Sequence, residues 1–284
     1  MQIKAGAIIS AICAVLLMGT VPVTVKYVSA SEIEIGIVRL CIAVAGLSLI
    51  LFARGYRWKL KNHEWRVLII LGLTFALHWY TYFKSIKLST ASIAAIGVST
   101  FGLHIIILSR ILLKQAIKKI DGFALLLAAF GIYLVLPDLN WRSEYFQGLA
   151  LAIFSGFVYA CLPVINQKAI TVPNSVRAWG QFSFALIPFA IFGFGESWVL
   201  ESKDWYSLFY LGVAATLIAH SLWVKATTEL PGRFTSIIYY LYIPMAMSLS
   251  VLILNEPLSA SMITGAMIII GANVMVLAAH FTAD

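Results

Sequence analysis

The chain repeats itself along its whole length, at an offset of 140 to 142 residues. Positions that correspond in the two halves include Pro22 with Pro163, Arg39 with Gln181, Gly72 with Gly212, Gln115 with Glu256, and Gly131 with Gly271. Each half contains five apolar segments, and an odd number of crossings brings the second half into a membrane from the opposite side. The sequence therefore predicts an all-α polytopic membrane protein of ten transmembrane helices, built as two inverted five-helix repeats at 1–140 and 141–284.

The composition requires a membrane for so much apolar surface. The chain is 61% hydrophobic and 11% charged, against about 45 to 50% and about 25% in soluble domains. The predicted spans cover residues 6–28, 33–53, 66–84, 90–110, 121–137, 147–168, 177–195, 205–225, 232–254 and 260–281. Most of these spans reach the roughly 20 residues that cross a hydrocarbon core.

The distribution of basic residues predicts the orientation. With the N-terminus inside, 14 of the 20 lysines and arginines fall in cytoplasmic segments. The positive-inside rule therefore predicts a multi-pass protein of the bacterial inner (plasma) membrane with both termini in the cytoplasm. The net charge of +8 is divided among several loops and forms no single basic face, so we expect no nucleic-acid partner.

The first apolar segment has a second interpretation. Lys4, the apolar run and the sequence Val28-Ser29-Ala30 resemble a cleavable signal peptide. The run is long, however, is interrupted by Lys26, and has a repeat partner at 147–168. We therefore expect this segment to remain as the first span.

Motifs for catalysis, metal binding or cofactor binding are missing from the sequence. Cys13, Cys41 and Cys161 are single residues in apolar spans, without metal or redox spacing. The sequence also contains no HExxH, GxSxG, P-loop or GxGxxG arrangement. We expect no enzyme activity, no cofactor and no bound metal.

Several short motifs resemble those of a known family. They are Met18-Gly19-Thr20-Val21-Pro22, Val38-Arg39-Leu40, the Leu-Gly pairs that open spans three and eight, and Leu254-Asn255-Glu256-Pro257-Leu258. In this order and spacing they resemble the EamA family of the drug/metabolite transporter superfamily. The resemblance implies a ten-helix carrier, often an exporter of amino acids or related metabolites, with a cavity lined by spans 1, 3, 4, 6, 8 and 9. Gln115 replaces the family's frequent acidic residue in the first half, so a coupling role at this position would hold only for Glu256.

Polar side chains form a stripe on span three that recurs on span eight. The stripe on span three contains Thr74, His78, Thr81 and Tyr82, and its counterpart on span eight contains Thr216, His220 and Trp223. Polar groups at membrane depth must be satisfied by protein or by cavity water. Two matched stripes predict a common aqueous cavity with these residues as solute-binding candidates. The alternative is hydrogen bonding between helices, which small hydroxyls commonly provide.

A third histidine and several aromatic residues extend this candidate site. His104 lies in span four, where it either joins the cavity or bonds a neighbouring backbone group. No Asp or Glu lies near the centre of a predicted span, so the histidines, with an unperturbed pKa of about 6.5, are the candidates for proton coupling. Among the aromatic residues we expect solute contacts from Tyr82, Tyr159, Trp223, Tyr239 and Tyr242.

Prolines and charged residues supply the remaining predictions. Pro22, Pro163 and Pro244 each remove a helical hydrogen bond, which predicts a hinge or a static kink. Arg39 lies deep in span two, where we expect a structural pair with Glu32 or Glu34 rather than a substrate contact. Lys26, Lys84 and Glu256 fall on the outer side of the predicted topology, as an outer gate or as residues that snorkel to the interface.

The sequence favours a secondary carrier that moves a small amphipathic metabolite by alternating access, in the first place by export of an amino acid or a related compound. One alternative is uptake or exchange of a nucleotide-sized or phosphorylated metabolite. Another is a scaffold or signalling protein of the membrane that does not transport. The expected partners are a small-molecule solute and the lipid bilayer, and the protein is a monomer or a homodimer.

Overall fold

A computed structural model describes residues 5–113, 119–136, 140–168, 171–230 and 238–281. Every regular element in these ranges is helical. The helices of the first half are α1 (Ala5–Gly19), α2 (Val21–Tyr27), α3 (Glu32–Ala53), α4 (Asn62–Leu88), α5 (Ala91–Val98), α6 (Phe101–Leu113) and α7 (Lys119–Val135). The helices of the second half are α8 (Glu144–Gln167), α9 (Asn174–Phe192), α10 (Ser202–Gly212), α11 (Ala219–Glu229), α12 (Tyr242–Leu254) and α13 (Ala260–Phe281), with a π-helical segment at Val213–Ile218 between α10 and α11.

Several of these helices are suited to a membrane. Five segments are long and apolar enough to cross one: Ala5–Tyr27, Glu32–Ala53, Asn62–Leu88, Glu144–Asn166 and Ser202–Trp223. Three shorter apolar helices cover Ala91–His104, Tyr242–Leu254 and Ala260–Val276. The described part of the chain is therefore all-helical, with several helices suited to crossing a membrane.

The main helix contacts run between the two halves. Helix α4 packs against α8 and α9, α3 packs against α9, and α1 packs against α11. Helices α7 and α13, the last of each half, also pack on each other. Each half therefore buries its apolar faces mainly against the other half, and the centre of the molecule lies at their interface.

Small residues allow the contact between α7 and α13. A Cβ atom on Gly131 would lie 2.8 Å from the carbonyl oxygen of Gly265, and a Cβ atom on Gly265 would lie 2.5 Å from the carbonyl oxygen of Gly131. The two backbones thus approach at a distance that side chains would prevent. Gly271, on the same helix α13, faces open space.

The three prolines occupy different local structures. Pro22 lies in the first turn of α2, just after the break between α1 and α2 at Thr20. Pro163 lies inside the continuous helix α8. Pro244 lies in the first turn of α12 rather than in a helix interior, where a missing N–H is tolerated. The carbonyl of Tyr240, four residues before Pro244, accepts the N–H of Ile243 at 3.3 Å.

The π-helical segment lies in the predicted eighth span. Thr216 in this segment donates its hydroxyl proton to the carbonyl of Leu211, five residues earlier, at 2.7 Å. A π-helical turn inserts one extra residue into a helix and is frequent at functional sites. Here it sets the direction of the Thr216 side chain toward α3.

Candidate functional site

A small chamber of about 60 Å³ lies at the interface between the halves. Its polar and aromatic lining includes Arg39, Phe75, His78, Trp79, Tyr82, Phe83, Tyr159, His220, Tyr239 and Tyr242. Six of these residues, the two histidines and the four tyrosines, are predicted solute-binding residues. Residues Met18, Val21 and Ala215 complete the wall. The chamber is therefore mainly aromatic, with a few polar groups.

A larger vestibule of about 370 Å³ adjoins the chamber. Phe75, Tyr159 and His220 line both spaces, so the vestibule and the chamber are neighbours along one path. The vestibule is also lined by Leu162, Pro163, Asn166, Asn174, Arg177, Ala178, Gln181, Phe182 and Trp223. Trp223 is therefore a vestibule residue rather than a chamber residue. We call the end of the molecule that carries Asn166, Asn174 and Thr171 the open end.

His78 is held by a hydrogen-bond pair between the halves. Its Nδ1 atom lies 2.8 Å from the hydroxyl of Ser155 on α8, and that hydroxyl lies 2.8 Å from the carbonyl of His78. The ring also stacks on Tyr82, with the ring centroids 5.9 Å apart. His220 instead makes edge contacts with Phe75 and Phe182. The two histidines of the matched stripes thus have different surroundings.

The tyrosines connect the two halves around the chamber. The hydroxyls of Tyr82 on α4 and Tyr242 on α12 hydrogen-bond to each other. Tyr239 stacks on Tyr242 with centroids 5.8 Å apart and lies 6.3 Å from Tyr159. Such stacked rings bury a large apolar area while their hydroxyls keep polar contacts.

Four predicted residues lie outside the two linings, namely Thr74, Thr81, His104 and Thr216. Thr81 donates its hydroxyl to the carbonyls of Leu77 and His78 on its own helix. The Oγ1 atom of Thr100 lies 3.2 Å from Nε2 of His104, and Thr74 is half-buried on α4. Thr216 borders the site through Arg39, as described next. Within the described ranges, no group of three or more His, Cys, Asp or Glu side chains could hold a metal ion.

Arg39 does not pair with Glu32 or Glu34 as the sequence suggested. Glu34 forms a capping box with Ser31 at the start of α3, and Glu32 forms an ion pair with Lys84 at 3.0 Å. Glu32 is seven residues from Arg39, about 10 Å along the helix axis, and Glu34 is five residues away on another face. The Nε atom of Arg39 donates instead to Thr216 Oγ1 at 2.9 Å.

The opposite end of the molecule is closed by direct contacts between the halves. Glu256 accepts the N–H of Ala91 at 2.8 Å and the hydroxyl of Ser92 at 3.2 Å, so it caps the start of α5. The Ser92 hydroxyl also lies 2.5 Å from that of Ser250. Within the first half, Lys26 donates to the carbonyl of Ser89 at 2.6 Å at the same end. We call this end, which carries Lys26, Ser89, Asp204 and Glu256, the closed end. Gln115, the residue that corresponds to Glu256 in the repeat, lies outside the described residues.

Each end also carries one contact in which an acidic residue at the start of a helix binds the other half. At the closed end, Asp204 on α10 accepts the N–H of Ser29 at 2.9 Å and the hydroxyl of Ser29 at 2.5 Å. At the open end, Glu64 on α4 accepts the hydroxyl of Thr171 at 2.8 Å. Thr171 follows Ser29 by 142 residues and Asp204 follows Glu64 by 140, so the two contacts correspond in the repeat. We call them the latches.

Sequence reasoning missed most of the vestibule. Asn166, Asn174 and Arg177 lie near helix ends, where polar residues are common, and no motif marks them. The terminal N–H groups of Arg177 donate hydrogen bonds to oxygen atoms of Asn166 and Asn174. Gln181 was visible as the repeat partner of Arg39, which was a usable signal. The apolar chamber residues Phe75, Trp79 and Phe83 had no feature that separated them from packing aromatics.

Comparison with known proteins agrees with this architecture. A solved crystal structure superposes on the chain with a TM-score of 0.70 over 96% of both chains, at 18% identity, which shows a shared fold. A protein of Archaeoglobus fulgidus described as an uncharacterized transporter is 24% identical over 65% of this chain and 66% of its own length. The biotin transporter of Escherichia coli K12 is 24% identical over 71% of this chain and 69% of its own length.

A family model extends over nearly the whole chain. The model of the EamA-like transporter family matches twice, at residues 5–136 and 146–278. These two matches fall in the two halves that repeat in the sequence, and they include all the chamber and vestibule residues. Relatives named as transporters also indicate a transporter and not an enzyme. The chain belongs to the EamA-like transporter family and is a membrane transporter.

Proposed function

We propose that the protein is a secondary carrier that exports a small amphipathic metabolite, an amino acid or a related compound, across the bacterial inner membrane. In this proposal ten transmembrane helices form two inverted repeats, 1–140 and 141–284, and both termini lie in the cytoplasm. The two halves rock against each other around the chamber. The open end faces the cytoplasm and the closed end faces outward.

The observation that carries the proposal is the difference between the two ends around one central site. A vestibule leads from the open end to the chamber, while Glu256 and its partners join the halves at the other end. A carrier that works by alternating access opens only one end at a time. A static scaffold has no need of a central site that is open at one end alone.

The helix contacts support an inverted repeat. Packing of α4 on α8 corresponds to packing of α1 on α11 when the halves are exchanged. The pairs α3 with α9 and α7 with α13 each join corresponding helices of the two halves. The latches also correspond in sequence but lie at opposite ends of the molecule. These relations fit a two-fold axis in the membrane plane.

The lining supports an amphipathic solute. Tyr159, Tyr239 and Tyr242 offer aromatic faces for an apolar body and hydroxyls for polar groups. The other predicted solute-binding residues that line the chamber or the vestibule are His78, His220, Tyr82 and Trp223. We assign Pro22, beside the helix break at Thr20, and Pro163, in the vestibule wall, as hinge positions.

The test compares metabolite levels inside and outside cells that express the intact protein or a His78→Ala/His220→Ala double variant at equal membrane levels. We expect one class of solute to leave the cells only with the intact protein. As the matched control, His63→Ala changes an exposed histidine at the start of α4, outside the two linings. If neither the intact protein nor the control shifts any solute, a scaffold or signalling role replaces the carrier.

A second candidate is uptake of biotin. It is favoured by relatives named biotin transporters in Escherichia coli and in Salmonella typhimurium, the latter 23% identical over 81% of this chain. Accumulation of radiolabelled biotin in biotin-depleted cells that express the protein would favour this candidate. Unchanged accumulation, together with loss of an amino acid to the medium, would favour export.

A further inference from the structure

Arg39 is a buried cation that the described part of the protein does not neutralise. Its side chain is 2% exposed, and its guanidinium carbon lies 4.2 Å from the ring centroid of Trp79 and 5.3 Å from that of Phe83. Its one hydrogen bond to a described residue runs from Nε to Thr216. The Nη1 atom is buried and has no partner among the described residues.

Such an arrangement is costly unless a ligand completes it. An arginine at membrane depth requires a partner, and a buried charge without one strongly destabilises the folded protein. The aromatic rings beneath Arg39 supply part of the stabilisation, but their faces do not accept the N–H of Nη1 in the plane of the guanidinium. Both acidic residues of the same helix are engaged elsewhere, as described above.

The Arg39 side chain lies in the wall of the chamber. Arg39 lines this space together with His78, Tyr82 and His220. The hydroxyl of Thr216 is committed to the carbonyl of Leu211, so it accepts from Nε and fixes the orientation of the guanidinium. The side chain is thus anchored at Nε while a terminal nitrogen remains unpaired beside the central site.

We propose that Arg39 binds the carboxylate of the transported solute through its terminal nitrogens. This inference rests on the carrier function proposed above and assigns the substrate class as monocarboxylates with an apolar or aromatic body. The body lies toward Phe75 and Tyr159, which border both the chamber and the vestibule.

The geometry favours a carboxylate over a phosphate. Among the described residues, Arg39 is the one Lys or Arg side chain that lines the chamber, so a single negative charge balances it. Arg177 lies outside the chamber lining, in the vestibule, where its terminal nitrogens donate to Asn166 and Asn174 while its Nε has no partner among the described residues. The repeat position of Arg39 is Gln181, a neutral residue. One half therefore supplies the anion site, and a dianion would leave one charge without a partner in the chamber.

The experiment measures binding by the purified full chain in detergent, as the shift in melting temperature and by radioligand displacement. The probes are L-phenylalanine, L-phenylalaninamide, biotin, biotinamide and phenyl phosphate. We expect at least one acid to bind, its amide to bind at least about 30-fold more weakly, and Arg39→Gln to weaken binding of the acid by a similar factor, as for other buried charge pairs. Arg142→Gln, at an exposed arginine outside the site, should leave binding of the acid unchanged.

Several results would overturn the proposal. These are equal binding of an acid and its amide, undiminished binding of the acid by Arg39→Gln, tighter binding of phenyl phosphate than of both acids, or no binding of either acid. The comparison of acid with amide uses the intact protein, so it decides the matter even if Arg39→Gln fails to fold. Binding without any solute flux in cells would reject the carrier and keep the anion site. Flux that Arg39→Gln leaves unchanged would reject the site and keep the carrier.

Discussion

The two ends of the molecule both carry a latch, and the closed end carries a second acidic contact, at Glu256. Each end has a latch, Ser29 with Asp204 at the closed end and Thr171 with Glu64 at the open end. The closed end adds the Glu256 carboxylate on the start of α5 and the hydroxyl pair of Ser92 and Ser250. Since the latch is present at an end that is open, a latch alone does not close an end. Among the described residues, the Glu256 contact and the Ser92–Ser250 pair distinguish the closed end from the open end.

This difference matters because the repeat makes the two halves nearly equivalent. In a fully symmetric carrier the open-outward and open-inward states would be equal in free energy. The sequence breaks that equality at Glu256, whose counterpart is Gln115. Hydrogen bonds to a charged acceptor contribute about 1.5 to 3 kcal/mol. We infer that Glu256 biases the resting carrier toward the state that is closed on its side.

The largest expected effect comes from removing this contact. Glu256→Ala should raise the population that is open at the closed end by about 30-fold, because about 2 kcal/mol of stabilisation is lost. The reporter is Ser250→Cys, a fully buried position, in a background without the native cysteines. Its labelling rate with a membrane-impermeant maleimide is measured in whole cells.

The matched control for this test is Glu196→Gln, an exposed glutamate just beyond the end of α9. We expect this control to keep the low labelling rate. An unchanged rate in Glu256→Ala would mean that Glu256 does not keep the closed end shut. The asymmetry between the halves would then need another source.

The sequence predicted the architecture better than the individual contacts. Apolar segments and their repeat depend on composition and period, which a single chain displays directly. The tyrosines and histidines of the chamber were predictable because side chains with polar groups are unusual at membrane depth. The partner of Arg39 was not predictable, since spacing along α3 does not reveal that the π-helical turn brings Thr216 toward it.

The spacing of residues in the sequence also could not predict which groups the hydroxyls hydrogen-bond to. Thr81 lies near His78 on the helix surface, yet its hydroxyl bonds carbonyls of its own helix. Threonine makes such local bonds readily. The sequence pattern placed the residue but could not choose between a local carbonyl and the cavity. The same limit applies to Pro244, because the pattern did not show that α12 begins at Tyr242.

The latches give a smaller effect, and one that should be similar at the two ends. Asp204→Asn should cost about 1 to 2 kcal/mol of stability and Glu64→Gln should cost less, since each loses helix-capping and inter-half hydrogen bonds. Asp204 loses more because it also binds the backbone N–H of Ser29. The two costs should add in the double variant because the sites share no partners. The measurement is the midpoint of unfolding in detergent, with Lys203→Gln, an exposed neighbour of Asp204, as the control.

The same variants sharpen the comparison of the ends. If the latches only join the halves, Asp204→Asn should leave labelling of Ser250→Cys nearly unchanged. A rise as large as that of Glu256→Ala would contradict this division of roles. The latch at the closed end would then belong to the gate, and the latch at the open end would be expected to strengthen in the opposite state.

The smallest effect concerns the hydroxyl pair of Tyr82 and Tyr242, which joins the halves beside the chamber. Tyr82→Phe should raise labelling of Ser250→Cys by about fivefold, because a neutral hydrogen bond contributes about 1 kcal/mol. Tyr80→Phe, on the exposed face of the same helix, is the control. If the halves separate as rigid bodies, the Tyr82 and Glu256 contacts break in one transition and their effects multiply in the double variant. If Tyr82→Phe has no effect on labelling, the closed end opens before the chamber does, and the transition has at least two steps.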